Sequence, residues 1–433
     1  MTTIYNSRYD IDGEDAGSTG GYSVSMNSAG DIVAIGAKYN DGENGDISGH
    51  VRVYKNSNGS WEQLGIDIDG ESSDDRSGQS VSINSAGNIV AIGAINNDGE
   101  NGGNSGHTRV WKYKDGTWQK LGQDIDGETA GDYSGYSVSI NSAGTIVAIG
   151  SKHNDVATGH VRVYQYKDDP GNPGTKKWDQ LGIDIDGESE DDQSGFSVSM
   201  NSAGDIVAIG AKFNTSDDGK NNSGHVRVHQ YINGAWIQVG DDIDGESASD
   251  SSGKVSMNST GDIIAIGAKN NDIGDNSGHV RVWKSIIDPV DSDKKKWIQV
   301  GDDIDGEFAG DNSGVVSMNS TGDIVAIGAG NNSDNGDKSG HVRIWKLIGS
   351  TWQRLGQDID GETEGDRSGY SVSMNNEATV VAIGSVKNDD NGENSGHVRV
   401  FYYRNGIWNQ ATPGFFKVSN GFFKLSGTSF FKV

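Results

Sequence analysis

The chain has 433 residues, with 35 basic against 62 acidic side chains for a formal net charge of −27, 65 glycines, four prolines and no cysteine. That charge repels phosphates and argues against nucleic acid or an anionic membrane surface as a partner. No run approaches the ~20 apolar residues of a membrane span, so membrane insertion is not expected. Disulfides and thiol chemistry are excluded outright, and the opening Met-Thr-Thr-Ile-Tyr-Asn carries no signal-peptide pattern.

After an N-terminal strand or arm over residues 1–9, the pentapeptide Asp-Ile-Asp-Gly-Glu begins at Asp10, Asp67, Asp124, Asp184, Asp242, Asp303 and Asp358, in steps of 57, 57, 60, 58, 61 and 55 residues. Seven near-copies fill residues 10–412, and a sustained period is read before any local motif. In the second unit, residues 79–84 alternate Val81 and Ile83 with serines and predict a first strand. Residues 88–94 form an apolar β-branched run suited to a buried second strand, residues 106–113 a third, and residues 118–125 a fourth after Asp115-Gly116. The expected fold is all-β: a seven-bladed propeller with four antiparallel strands per blade, whose closure leaves only short edges. A Trp opens each fourth strand (Trp61, Trp118, Trp178, Trp236, Trp297, Trp352, Trp408) and reads as packing at the outer rim. Strand 408–412 is expected to close the ring, with the N-terminus along the rim. Units five and six are one residue shorter before Ser-Met, which should alter register or remove a bulge there.

The units resemble the FG-GAP repeat family, the propeller repeat found in integrin alpha chains. The "FG" corresponds to Gly21-Tyr22, Gly135-Tyr136, Gly195-Phe196 and Gly369-Tyr370; the "GAP" to Gly36-Ala37-Lys38, Gly93-Ala94-Ile95, Gly210-Ala211-Lys212 and Gly267-Ala268-Lys269, with Pro replaced. The resemblance implies a calcium loop of the form DxDxDG between first and second strands. Here those turns read Asn27-Ser28-Ala29-Gly30-Asp31 and the like, and lack the oxygen ligands a hard cation needs.

The pentapeptide loops and the Asn/Asp-rich loops should share one strongly negative face, since 34 of the 62 acids lie in or beside the pentapeptides. Two readings stand for them. Asp124, Asp126 and Glu128 project to one side of an extended segment and, with Asp132, could hold calcium; Asp67, Asp69, Glu71 and Asp75, Asp184, Asp186, Glu188 and Asp192, and Asp358, Asp360, Glu362 and Asp366 repeat the set. Alternatively the carboxylates cap turn amides. No cofactor is required, and calcium is the one ion these acids could take. The seven histidines (His50, His107, His160, His225, His279, His341, His397) recur at one strand position, so the ring should spread them apart; with the Arg two residues on they read as structural.

No unit carries a unique catalytic constellation, and the expectation is of a chain that is not an enzyme. Beyond Pro413, the tail over residues 413–433 repeats a Phe-Phe-Lys-aliphatic motif three times. Phe415, Phe416, Phe422, Phe423, Phe430 and Phe431 make it a candidate docking arm for strand addition to another protein or another copy. The expected role is a structural or interaction propeller binding other proteins in a surface layer, matrix or virion; the alternative is an adhesion or lectin-like propeller that binds glycans or peptides on the acidic face.

Overall fold

The computed structural model describes residues 10–216, 218–271, 276–292 and 294–410, and the backbone of three strands in the tail. Residues 1–9, read above as a strand or arm, lie outside the described residues. Seven antiparallel sheets follow one another around a ring. In the second blade the strands are Ser77–Ile83, Ile89–Ala94, His107–Lys114 and Thr117–Lys120, in that order outward from the central channel. The second strand is buried along its whole length, as its Ile-Val-Ala-Ile-Gly-Ala sequence demands, because neighbouring blades cover both its faces. One helical turn, Asn154–Ala157, interrupts the all-β chain.

The fourth strand differs from its reading as a continuous segment. It breaks after Lys120 and resumes as Ile125–Asp126, which pairs with the start of the third strand. Gly122 makes the break at φ +82°, and a Cβ there would stand 2.8 Å from Cδ1 of Trp178 in the next blade. Only glycine accepts that backbone and leaves the indole its seat. Trp178 Nε1 then donates to the Leu121 carbonyl at 2.6 Å, and the same inter-blade bond joins Trp118 to Leu64 and Trp408 to Leu355. Among the described residues, six of the seven tryptophans therefore lock their blade to the one before it.

Broken fourth strands also explain how the ring closes. The last blade receives Ile407–Gln410, which contains Trp408, from the C-terminal side, and Ile11–Asp12 of the first pentapeptide supplies the second piece, with Asp12 opposite His397. Both chain ends stitch one edge, so the expected closure through Trp408 is half of the joint.

Two belts of hydrogen bonds run around the channel. The Ser25, Ser82, Ser139, Ser199, Ser256, Ser317 and Ser373 hydroxyls each accept from a backbone N–H of the next blade's innermost strand, at 2.9–3.0 Å, the last from Met26 in blade one. Below them the first turns join backbone to backbone, Ser28 to Ser85 to Ser142 and on until Asn376 N–H returns to the Ser28 carbonyl at 3.2 Å.

The short unit five keeps this belt. Its first strand pairs Ser252 with Ala268 and Lys254 with Gly267, where unit four pairs Ser194 with Ala211 and Ser197 with Gly210. The deletion shortens a bulge and leaves the register beyond it unchanged. In the tail, Phe415–Val418, Gly421–Ser426 and Ser429–Lys432 form an antiparallel three-stranded sheet of their own.

Each belt serine satisfies an N–H that would otherwise face the blade interface unpaired. Ser199→Ala should therefore lower the unfolding free energy by ~1–3 kcal/mol, while Ser350→Ala in an exposed turn changes it little. Paired denaturant titrations of the two variants check this, and equal stabilities would remove the belt from the account.

Candidate functional site

The first candidate site is the seam between blades on the acidic face. There the third strand's arginine reaches back to the preceding pentapeptide. Arg109 donates through Nη2 to the Asp69 carbonyl at 2.9 Å, and its Nη1 lies 3.2 Å from Glu71. The carbonyl bond recurs in all seven blades, from Arg52–Asp12 to Arg399–Asp360. Arginine is suited to this double contact because its planar fork addresses two acceptors at once.

Two residues before each arginine stands a buried histidine. His50 meets Glu14 and Asp67, His107 meets Glu71 and Asp124, His160 meets Glu128 and Asp184, and His225 meets Glu188 and Asp242. The glutamate comes from one pentapeptide and the aspartate from the next, and in each group the three ligand-bearing atoms lie within 4.8 Å of one another. His397 sits with Asp10, Glu362 and Asp390, so the first pentapeptide completes the seventh cradle. The ring does keep the histidines apart, one per blade. It also gives each a pair of carboxylates that spacing along the chain does not reveal.

At His50 and His160 these contacts are longer than hydrogen bonds. Nδ1 of His50 is 3.6 Å from Glu14 and 3.8 Å from Asp67; that of His160 is 3.9 Å from both Glu128 and Asp184. Nδ1 of His341 has no hydrogen-bond partner among the described residues. Burial and the adjacent arginine hold the imidazole pKa down, to about 4 at His50 and about 3 at His107 and His341, so these rings are neutral at pH 7. On the carboxylate side, burial and the neighbouring Glu362 push Asp10 up to about 6, and burial with nearby acids raises Asp69, Asp126 and Asp360.

The four acids of one pentapeptide, read above as a single ligand set, take separate places. Asp132 is buried and caps a turn, accepting from the Glu128 and Thr129 amides at 2.8 Å and from Thr129 Oγ1 at 2.7 Å. Asp75, Asp192 and Asp366 do the same. Asp69, Asp126, Asp186 and Asp360 lie opposite a histidine in the short outer strand. Asp67, Asp124, Asp184 and Asp358 each pair with the residue four positions earlier: Gln63, Lys120, Gln180 and Arg354. Glu71, Glu128, Glu188 and Glu362 face the Arg and His of the following blade. The phenylalanines Phe415, Phe416, Phe422, Phe423, Phe430 and Phe431 fall in the tail strands, of which only the backbone is described.

A second cluster escaped the sequence reading. Lys38, Lys152, Lys212 and Lys269 follow second strands directly, and Lys254 sits in the shortened bulge. All five stand at the channel mouth on the acidic face, the end remote from the Ser28 belt. The available signal was variation: these positions change from blade to blade within a constant frame.

With this geometry in hand, comparison with known proteins adds two findings. The FG-GAP repeat family model matches residues 359–401, most of the seventh unit, and the seven-bladed fold agrees with the FG-GAP propeller resemblance. No curated protein matches the chain. Among solved structures, a protein assigned as a 6-phosphogluconolactonase from Bacteroides uniformis aligns at 12% identity and TM-score 0.52, covering 79% of this chain and 86% of its own. The periplasmic gluconolactonase of Pseudomonas aeruginosa aligns at 12% and 0.53, covering 88% and 95%. Hydrazine synthase of Kuenenia stuttgartiensis aligns at 10% and 0.54, covering 93% and 99%. Likeness at this identity shows the fold alone.

These neighbours correct the expectation that the chain is not an enzyme. Propellers of this shape include gluconolactonases, so neither the fold nor its repetition speaks against catalysis. The symmetry argument failed for a local reason. The frame is sevenfold, but the channel mouth is not: Tyr22, Gln79, Tyr136, Phe196 and Tyr370 share one repeated position that the shorter units five and six lack, and Lys254 and Val315 stand at the next ladder position, held elsewhere by serine.

The turn-capping acids should behave as parts of the fold. Asp132→Ala strands two amides and a hydroxyl, and the unfolding free energy should fall by ~2–3 kcal/mol. Calorimetric unfolding measures this, and unchanged stability would return the Asp132 carboxylate to the ligand set.

Proposed function

We propose that this chain is a protein-binding propeller, a component of a surface layer, matrix or virion assembly, which meets its partner through its acidic loop face with divalent cations held in the inter-blade cradles. The observation that carries this reading is the repeated Glu–His–Asp group. At His50 and His160 a buried imidazole nitrogen stands 3.6–3.9 Å from each of two carboxylates, beyond hydrogen-bond distance. Two ligands about 2.1 Å from one ion stand ~3.0–3.5 Å apart, so closure by a few tenths of an ångström would seat a cation. The imidazole favours a manganese- or zinc-type ion over calcium, which takes oxygen ligands. A cation would also offset the burial and, after it, the neighbouring acids that raise the pKa of Asp69 and Asp126.

Partner contact is supported by what surrounds the cradles. Ile66 and Ile183 are 77% and 79% exposed beside Asp67 and Asp184, so an apolar side chain flanks the charged groups. Among the described residues the tail strands pair only with one another, which leaves the first and last of them as edges suited to strand addition in trans.

Native mass spectrometry with Mn²⁺ tests the cradles: the chain should take up several ions, and His107→Ala should bind one fewer. Light scattering tests the assembly. The full chain should associate in Mn²⁺, separate in EDTA, and lose association when ended at Pro413. No ion uptake would overturn the cation reading, and a monomer under every condition would leave a heterologous protein or a glycan as the partner.

A further inference from the structure

We propose that the mouth of the central channel is a binding site for a small phosphate-bearing anion, held by Lys38, Lys152, Lys212, Lys254 and Lys269 over a floor of aromatic rings. This site is independent of the cation cradles: it uses other residues, the opposite charge and the centre of the ring instead of its seams.

Four of the lysines enter from equivalent points, directly after strands Ile32–Ala37, Ile146–Ser151, Ile206–Ala211 and Ile263–Ala268. The fifth, Lys254, comes from the innermost strand Ser252–Met257, where it pairs with Gly267 at the ladder position that serine holds in five other blades. Lys38 Nζ lies 3.8 Å from the centroid of Tyr22, Lys152 Nζ 3.8 Å from Tyr136, and Lys212 Nζ 4.3 Å from Phe196. Lys254 Nζ is 5.0 Å from the same Phe196, and Lys269 Nζ reaches Tyr370, two blades on, at 5.9 Å. The rings also touch one another, Tyr22 with Tyr370 at 5.2 Å and Tyr136 with Phe196 at 5.6 Å between centroids. One cluster therefore spans the mouth.

In a chain of net charge −27 these cations should be the easiest to pair, yet they are not paired. Lysines that do form ion pairs with carboxylates lie elsewhere, such as Lys120 with Asp124 and Lys167 with Asp179. Among the described residues none of the five has a carboxylate within ion-pair distance. Ring faces and Gln79, whose Oε1 accepts from Lys38 Nζ at 3.0 Å, are what they have instead. Burial and the charges of Lys269, Lys212 and Lys152 press the Lys254 pKa from 10.5 down to about 7, and burial with Lys212 and Lys38 brings Lys152 to about 8.

Clustered ammonium groups partly withdrawn from water, with no carboxylate partner among the described residues, are what an anionic ligand would relieve. Lysine presents a compact point charge suited to phosphate oxygens, and the tyrosine faces would carry an attached ring. The acids of the same face do not cancel this field: at physiological salt charges are screened over about 8 Å, and among the main influences on Lys152, Lys212, Lys254 and Lys269 no carboxylate figures.

Titration calorimetry of the full chain with pyrophosphate at pH 8, run in two buffers of different ionisation enthalpy, tests the site. Expected are a dissociation constant tighter than ~1 mM and net proton uptake, because a bound anion raises lysine pKa values that lie near or below the working pH. Lys254→Met should weaken binding about tenfold or more, whereas Lys176→Met, on an exposed hairpin, should not. Folding of the Lys254→Met chain is checked independently by its melt. A lowered folded-state pKa means that the unfolded chain holds more protons between pH 7 and 10.5, so wild-type stability rises across that window and the variant loses part of the rise. No pyrophosphate binding at about 10 mM, or equal affinity in a folded Lys254→Met chain, would overturn the assignment.

Discussion

A closed ring gives every innermost strand a free edge toward the channel, and this structure depends on how that edge is satisfied. The serine one position before the end of each first strand gives its hydroxyl oxygen to the next blade's amide. Seven such bonds return to their start only because every unit places the serine at the same height. A serine is small enough to let neighbouring strands converge and polar enough to replace a missing ladder partner. The Ser-Val-Ser-Met repeat is thus the requirement of a closed belt, and the outer tryptophan bonds answer it at the rim.

That division of labour decides where function can reside. Strand interiors are committed to packing between blades, with residues such as Val33, Val90 and Val147 fully buried. Freedom to vary remains at the strand ends. At the seams, the ends are used alike from blade to blade, seven times in the Arg–Glu tie and, with local variation, in the carboxylate cradles at His50, His107, His160, His225 and His397. At the channel mouth they are used differently in each blade, and the lysine–aromatic cluster results. A repeated frame can therefore carry a repeated site and a singular one on the same face.

The two clusters also partition the charge. Around the seams acids are in excess: His50 and His107 stay neutral, and Asp10, Asp69 and Asp126 hold protons more tightly than free carboxylates do. At the centre cations are in excess, and their ammonium groups lose protons more readily than free lysine does.

By itself the sequence determined the repeat, the blade count and the strand order, since period, alternation and turn residues are local properties that every copy states again. The burial of the Ile-Val-Ala-Ile-Gly-Ala strand and the outer position of the tryptophans followed in the same way. Tertiary structure alone decided which charges meet. Glu71 and Asp124 lie 53 residues apart and converge on His107 because consecutive outer strands flank one seam. Asp132, four residues from Glu128, turns inward to cap its own loop. Lys38 and Lys254, 216 residues apart, reach one channel mouth because a ring brings equivalent positions of distant units together. Spacing along the chain records what a residue's neighbours are in its own blade; closure around an axis sets its neighbours in the others.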